Sequence, residues 1–176
     1  MLPLAFRMVG PTPSPTTPRQ ELLTGLRQPG LVLHLIGLLL VWTGFGLRFW
    51  TWTIERGVTW RGAAGCALAM VSAVLMFWSF AELKSWRLLP RIEGQHELCS
   101  TGVYGVVRHP IYLAFDLVGM GVAIAVPSPV VLLGALLVIV AGELRARAEE
   151  KALLAAFGER YARYQRRVAG RIPGVY

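Results

Sequence analysis

Apolar residues in this chain fall into four long runs, and the polar residues collect in the gaps between them. The first run extends from about Leu31 to Trp50, interrupted by His34 and, near its end, by Arg48. The second, Gly62 to Ala81, is twenty residues without a charge, which suits one helical crossing of a bilayer. The third begins at Pro110 and reaches Val126, and the fourth runs from near Pro129 to Gly142. Between them, Val126-Pro127-Ser128-Pro129 reads as the tight turn of a helical hairpin. Both later runs are short for full spans when cut at their charges. The third helix is therefore expected to start before Ile111, and the fourth to continue past Gly142 into solvent as one long helix. On that extension Leu154, Phe157, Tyr161, Tyr164 and Val168 recur at spacings of three and four, an apolar stripe. The pattern predicts an all-α membrane protein with about four transmembrane helices.

Composition agrees with this reading. The 176 residues are 55% hydrophobic and only 16% charged, more apolar surface than so small a soluble domain can hide. A net charge of +8 invites a nucleic-acid reading, but the basic residues flank the apolar runs and form no separate domain. No nucleic-acid partner is expected; the bilayer is. With four crossings, the amino arm, residues 82–109 and the carboxyl tail share one side and carry fifteen Lys and Arg. The opposite side carries three, Arg48, Arg56 and Arg61, so both termini are expected in the cytoplasm and the Glu55–Arg61 loop outside. The stretch MLPLAFRMVGPTPSPTTPRQ lacks the continuous apolar core of a signal peptide. Residues 1–28 read as a Pro-rich cytoplasmic arm, disordered or loosely attached, and 29–176 as the membrane domain. Cys66 in an apolar run and Cys99 in a polar one are poor disulfide partners.

Chemistry concentrates in two polar stretches on the expected cytoplasmic side, His96 to Tyr112 and Arg145 to Pro173. Pro110 fits the first turn of a helix, where a missing N–H costs nothing. Arg108 and His109 then stand at the helix mouth, with Tyr112 one turn in on the same side. An interfacial anchor and a binding site both fit these residues. Asp116 continues that face, as a functional group inside the membrane or as a hydrogen bond to a neighbouring helix. Arg145 and Glu149, four residues apart, project together from a helix. A surface ion pair accounts for them, but so does a guanidinium that grips a carboxylate beside an acid that grips an amine or a ribose hydroxyl. Glu143 with Arg147 reads as a solvated pair, and His34 as a packed polar residue. Nucleophile elbow, Walker loop, dinucleotide fingerprint, His-Glu-x-x-His and Cys-x-x-Cys are all missing, and three scattered histidines give no metal site.

His96-x-Leu98-x-x-x-Gly102-Val103-Tyr104, followed by Arg108-His109-Pro110-x-Tyr112, resembles the core motif of the isoprenylcysteine carboxyl methyltransferase family. A second block follows the family too: Glu149-Glu150-x-x-Leu153, Phe157-Gly158-x-x-Tyr161-x-x-Tyr164, Arg167-Val168 and Ile172-Pro173. The resemblance, over 95–173, implies a pocket for S-adenosyl-L-methionine at the cytoplasmic ends of the last helices, covered by a carboxyl-terminal helix. It assigns His96, Glu97, Leu98, Cys99, Tyr104, His109, Pro110, Ile111, Tyr112 and Glu149 to the cofactor, and Arg145 to the acceptor. The acceptor implied is a lipophilic small molecule or a prenylated chain methylated on a carboxylate. A phospholipid amine, a thiol, and a noncatalytic membrane scaffold stay open as alternatives.

Overall fold

A computed structural model describes residues 28–56, 59–83 and 98–172, with side chains omitted for 49–56. Among the described residues five helices follow one another: α1 (Pro29–Arg56), α2 (Trp60–Glu82), α3 (Pro110–Ala125), α4 (Pro129–Phe157) and the short α5 (Glu159–Gln165), with a 3₁₀ turn at Gly102–Gly105 before α3. The starts are written in the sequence. Thr59 caps α2 by accepting from the Gly62 N–H at 3.3 Å, and Ser128 caps α4 by accepting from the Val131 N–H at 3.2 Å. Pro110 and Pro129 open α3 and α4.

The long helices pack in the order α1, α4, α3, α2, while α1 and α3 touch each other only sparsely. Small residues set these crossings. A Cβ on Gly65 of α2 would stand 2.6 Å from the Gly121 carbonyl oxygen of α3, so the two backbones meet with no side chain between them. Further along the same seam, Ser72 Oγ donates to the Ala114 carbonyl oxygen at 2.7 Å. On α1 the buried positions Gly30, His34, Gly37, Val41 and Gly44 repeat at alternating spacings of four and three, and Gly37 lies against the Gly134 backbone of α4. The outward faces are apolar, with Met70, Val74 and Phe77 of α2 and Leu132 and Leu136 of α4 all more than half exposed. Such a surface belongs in hydrocarbon.

Among the described residues, three helices are long and apolar enough to cross a membrane: α1 over Pro29–Arg48, α2 and α4. The third predicted span is shorter than expected. It starts before Ile111 as expected, but only by one residue, at Pro110, and its 16 residues cover about 24 Å against a hydrocarbon core of about 30 Å. Residues before Pro110 are held by another segment and do not extend the helix. The hairpin turn and the continuous 29-residue α4 are as predicted. The helical stripe beyond it is not continuous. Gly158 adopts φ 51° and ψ −129°, ends α4 and starts α5 in a new direction. Leu154 is left exposed, whereas Tyr161 and Val168 are buried. The arm 1–27 lies outside the described residues.

Candidate active site

The start of α1, the end of α2, the approach to α3 and the exit of α4 gather at one end of the bundle, where residues 166–172 return as a strap. Val107 pairs with Ala169 in a parallel bridge. The Arg108 N–H donates to the carbonyl oxygens of Ala169 and Gly170, at 2.8 and 3.0 Å, and the His109 N–H donates to Gly170 at 3.0 Å. The Arg108 side chain completes the clamp: Nε donates to Glu150 Oε1 at 2.9 Å, and Nη1 to the Gln165 carbonyl at 2.9 Å and to that of Val168. One guanidinium thus ties α4, α5 and the strap to the mouth of α3. Arg171 carries the strap further in. Its guanidinium pairs with the buried carboxylate of Asp116 and donates to the Ile139 carbonyl at 2.9 Å, against Gly142.

Inside this frame sits His109, 5% exposed. Its Nδ1 lies 3.6 Å from Glu149 and its Nε2 3.1 Å from Glu150. Burial opposes the charged imidazolium, but hydrogen bonding to Glu149 and Glu150 outweighs it and holds the pKa above the ordinary 6.5. The Tyr112 ring stacks on His109 at 5.8 Å, and its hydroxyl accepts from Arg145 Nε at 3.3 Å. The Arg145 guanidinium also lies 5.4 Å from the Tyr112 ring centre. Tyr164 donates to the Tyr104 carbonyl at 2.6 Å and locks the 3₁₀ turn onto α5. The Tyr104 hydroxyl is buried with no hydrogen-bond partner among the described residues, within electrostatic reach of Cys99, Glu149 and Tyr112. Burial pushes its phenol pKa up.

Cys99, Tyr104, His109, Pro110, Tyr112, Arg145 and Glu149 are therefore brought together, as the sequence motifs imply. Leu98 and Ile111 are half-buried and add no polar group. His96 and Glu97 lie outside the described residues. Glu143 and Arg147 form the exposed pair expected of them, at 2.7 Å. Asp116 makes its hydrogen bond to the strap's Arg171 and not to a neighbouring helix. The functions of Glu150 as the second acid on His109, and of Arg108 and Arg171 as tethers, were missed. Glu150 carries a local signal, since adjacent Glu149 and Glu150 stand about 100° apart on a helix and can flank one group. The tethers carry none, because their partners lie 28 to 60 residues away along the chain.

A lipid-facing helical bundle with a buried polar cluster at one end defines an integral membrane protein. The family model for phospholipid methyltransferases matches residues 60–160, more than half of the chain. The chain belongs to that family, and its resemblance to the isoprenylcysteine carboxyl methyltransferases extends to both sequence and fold. It is 27% identical over 139 residues to protein-S-isoprenylcysteine O-methyltransferase of Rattus norvegicus, covering 76% of this chain and 49% of that protein. The structure of a eukaryotic intramembrane Ras methyltransferase, isoprenylcysteine carboxyl methyltransferase, superimposes with a TM-score of 0.65 at 21% identity, over 92% of this chain and 55% of that one. The chain spans about half the length of the relatives it matches.

Proposed function

We propose that this chain methylates a carboxylate on a lipophilic acceptor of isoprenylcysteine type, with S-adenosyl-L-methionine as donor, at the cytoplasmic face of a membrane. What carries the reading is that Arg145 and Glu149, one turn apart on α4, take different partners. Arg145 reaches Tyr112 at 3.3 Å and Glu149 faces His109 at 3.6 Å. One helix face thereby offers a cationic fork and an acid side by side.

The residues present fit such a donor. The Glu149 side chain, 35% exposed, can accept from an ammonium or a ribose diol. The Tyr104 hydroxyl is an orphaned buried polar atom beside it. Cys99 and Tyr112 supply apolar and aromatic surface near the same atoms. When bound, S-adenosylmethionine supplies an electrophilic methyl carbon, which a carboxylate oxygen takes as the sulfur keeps the bonding electron pair. An ionised carboxylate needs no general base near neutral pH, so the work left to this chain is alignment and exclusion of water. Arg145 orients the acceptor by two parallel hydrogen bonds. The Arg108 and Arg171 tethers hold the strap over the cluster. A lipophilic acceptor enters from the bilayer between helices, and the water-soluble donor enters from the cytoplasm.

Calorimetric binding of S-adenosylhomocysteine, with turnover on an S-prenyl cysteine, tests the assignment. Glu149→Ala is expected to weaken donor binding roughly ten- to hundredfold, the loss of a charged hydrogen bond. Arg145→Ala keeps donor binding and loses turnover, and Arg145→Lys stays impaired because it keeps the charge without the planar fork. A fully active Arg145→Lys sinks the two-point carboxylate grip. A fully active Arg145→Ala moves an amine or thiol acceptor ahead.

A further inference from the structure

His34 stands one turn below Gly30 on α1, and Gly30 packs directly against the Arg145 side chain: a Cβ there would lie 2.9 Å from Arg145 Cγ. The imidazole is 4% exposed and meets the Phe115 ring edge-on at 4.8 Å, where α1 and α3 touch only sparsely. Neither ring nitrogen has a hydrogen-bond partner among the described residues. Arg145 and Arg171 both lie within electrostatic reach. The other buried positions of this α1 seam are glycine or aliphatic, so a packing role alone does not call for an imidazole. A polar group left unpaired at membrane depth is destabilising, and its natural partner is a ligand.

We propose that His34 is an acceptor-binding residue: it hydrogen-bonds a second polar group of the acceptor, about one helical turn deeper than the carboxylate that Arg145 holds. The inference rests on the carboxylate reading above and extends it to the acceptor's shape. Four residues of helix separate the two levels by about 6 Å. That exceeds the spacing of the two oxygens within one carboxylate. An amide beside the carboxylate-bearing carbon covers part of that distance and the His34 and Arg145 side chains span the rest, with the lipid chain running on between α1 and α3. A neutral imidazole offers one donor and one acceptor, so it can serve either the N–H or the C=O of that amide.

Two acceptors separate the cases: N-acetyl-S-prenyl cysteine, and S-prenyl thiopropionate, which has the carboxylate and the lipid but no amide. The wild-type protein is expected to favour the first roughly tenfold in kcat/KM, mostly through KM. His34→Phe fills the site without a polar atom and should erase the preference, with S-adenosylhomocysteine affinity unchanged and thermal stability equal or higher. His34→Gln should restore part of the preference. A wild type without preference, or a His34→Phe variant that keeps it, overturns the role of His34 while leaving the carboxylate reading intact. Donor binding with no methylation of either acceptor overturns that reading and this inference together.

Discussion

A histidine flanked by carboxylates on both ring nitrogens titrates unlike one in water, and His109 is so flanked by Glu149 and Glu150. Arg108 shares Glu150, and Tyr112 covers the ring face, so these are the groups that decide its charge. Its raised folded-state pKa means that the imidazolium's contribution to stability is complete below the unfolded value of about 6.5 and is lost as pH rises through the folded value. The thermal midpoint of the wild type should therefore fall as the pH rises above about 6.5, relative to that of His109→Gln, which has no proton to lose there. Parallel pH dependences in the two proteins would remove His109 from the account. Much of this cluster was legible in the sequence, because Arg145 and Glu149 share a helix face by spacing alone and Pro110 marks the helix mouth. Arg108 and Arg171 were not legible as tethers. They act on backbone carbonyls, on Glu150 and on Asp116, across distances along the chain that no local spacing encodes.

Elements were legible where capping and hydropathy agree, as in the Pro turn at 126–129 and the unbroken α4. They were not where one residue's backbone decides the outcome. The stripe from Leu154 to Val168 keeps helical spacing straight through Gly158, yet the helix stops there because Gly158 takes a conformation that strains residues with a Cβ. Nothing lies within 4 Å of where that Cβ would stand, so a substitution there tests backbone strain without crowding. Gly158→Ala is expected to cost about 1–3 kcal/mol, a drop of several degrees in the thermal midpoint. Donor affinity should fall with it, because α5 carries Tyr161 and Tyr164 under the 3₁₀ turn. An unchanged midpoint would mean that the turn relaxes to accept the side chain.

At the scale of the whole molecule, the gathering of the α1 start, α2 end, α3 start and α4 exit fits the charge pattern, which assigns fifteen of eighteen Lys and Arg to one side. A cysteine placed at Thr59 should react with a membrane-impermeant reagent applied to intact cells, and one placed at Arg166 only after the membrane is opened. The reverse labelling pattern inverts the orientation. The strap has a consequence for how such a protein is made. Arg171 follows Asp116 by 55 residues, so Asp116 leaves the ribosome while its eventual partner is still within it or not yet added. The polar end of the bundle then stays open until the last described turn of chain arrives, passes over α3 and docks its guanidinium between two helices already in place. Assembly of the polar cluster thereby waits on the arrival of Arg171, and a chain interrupted before that residue is expected to insert as a bundle whose polar end stays open.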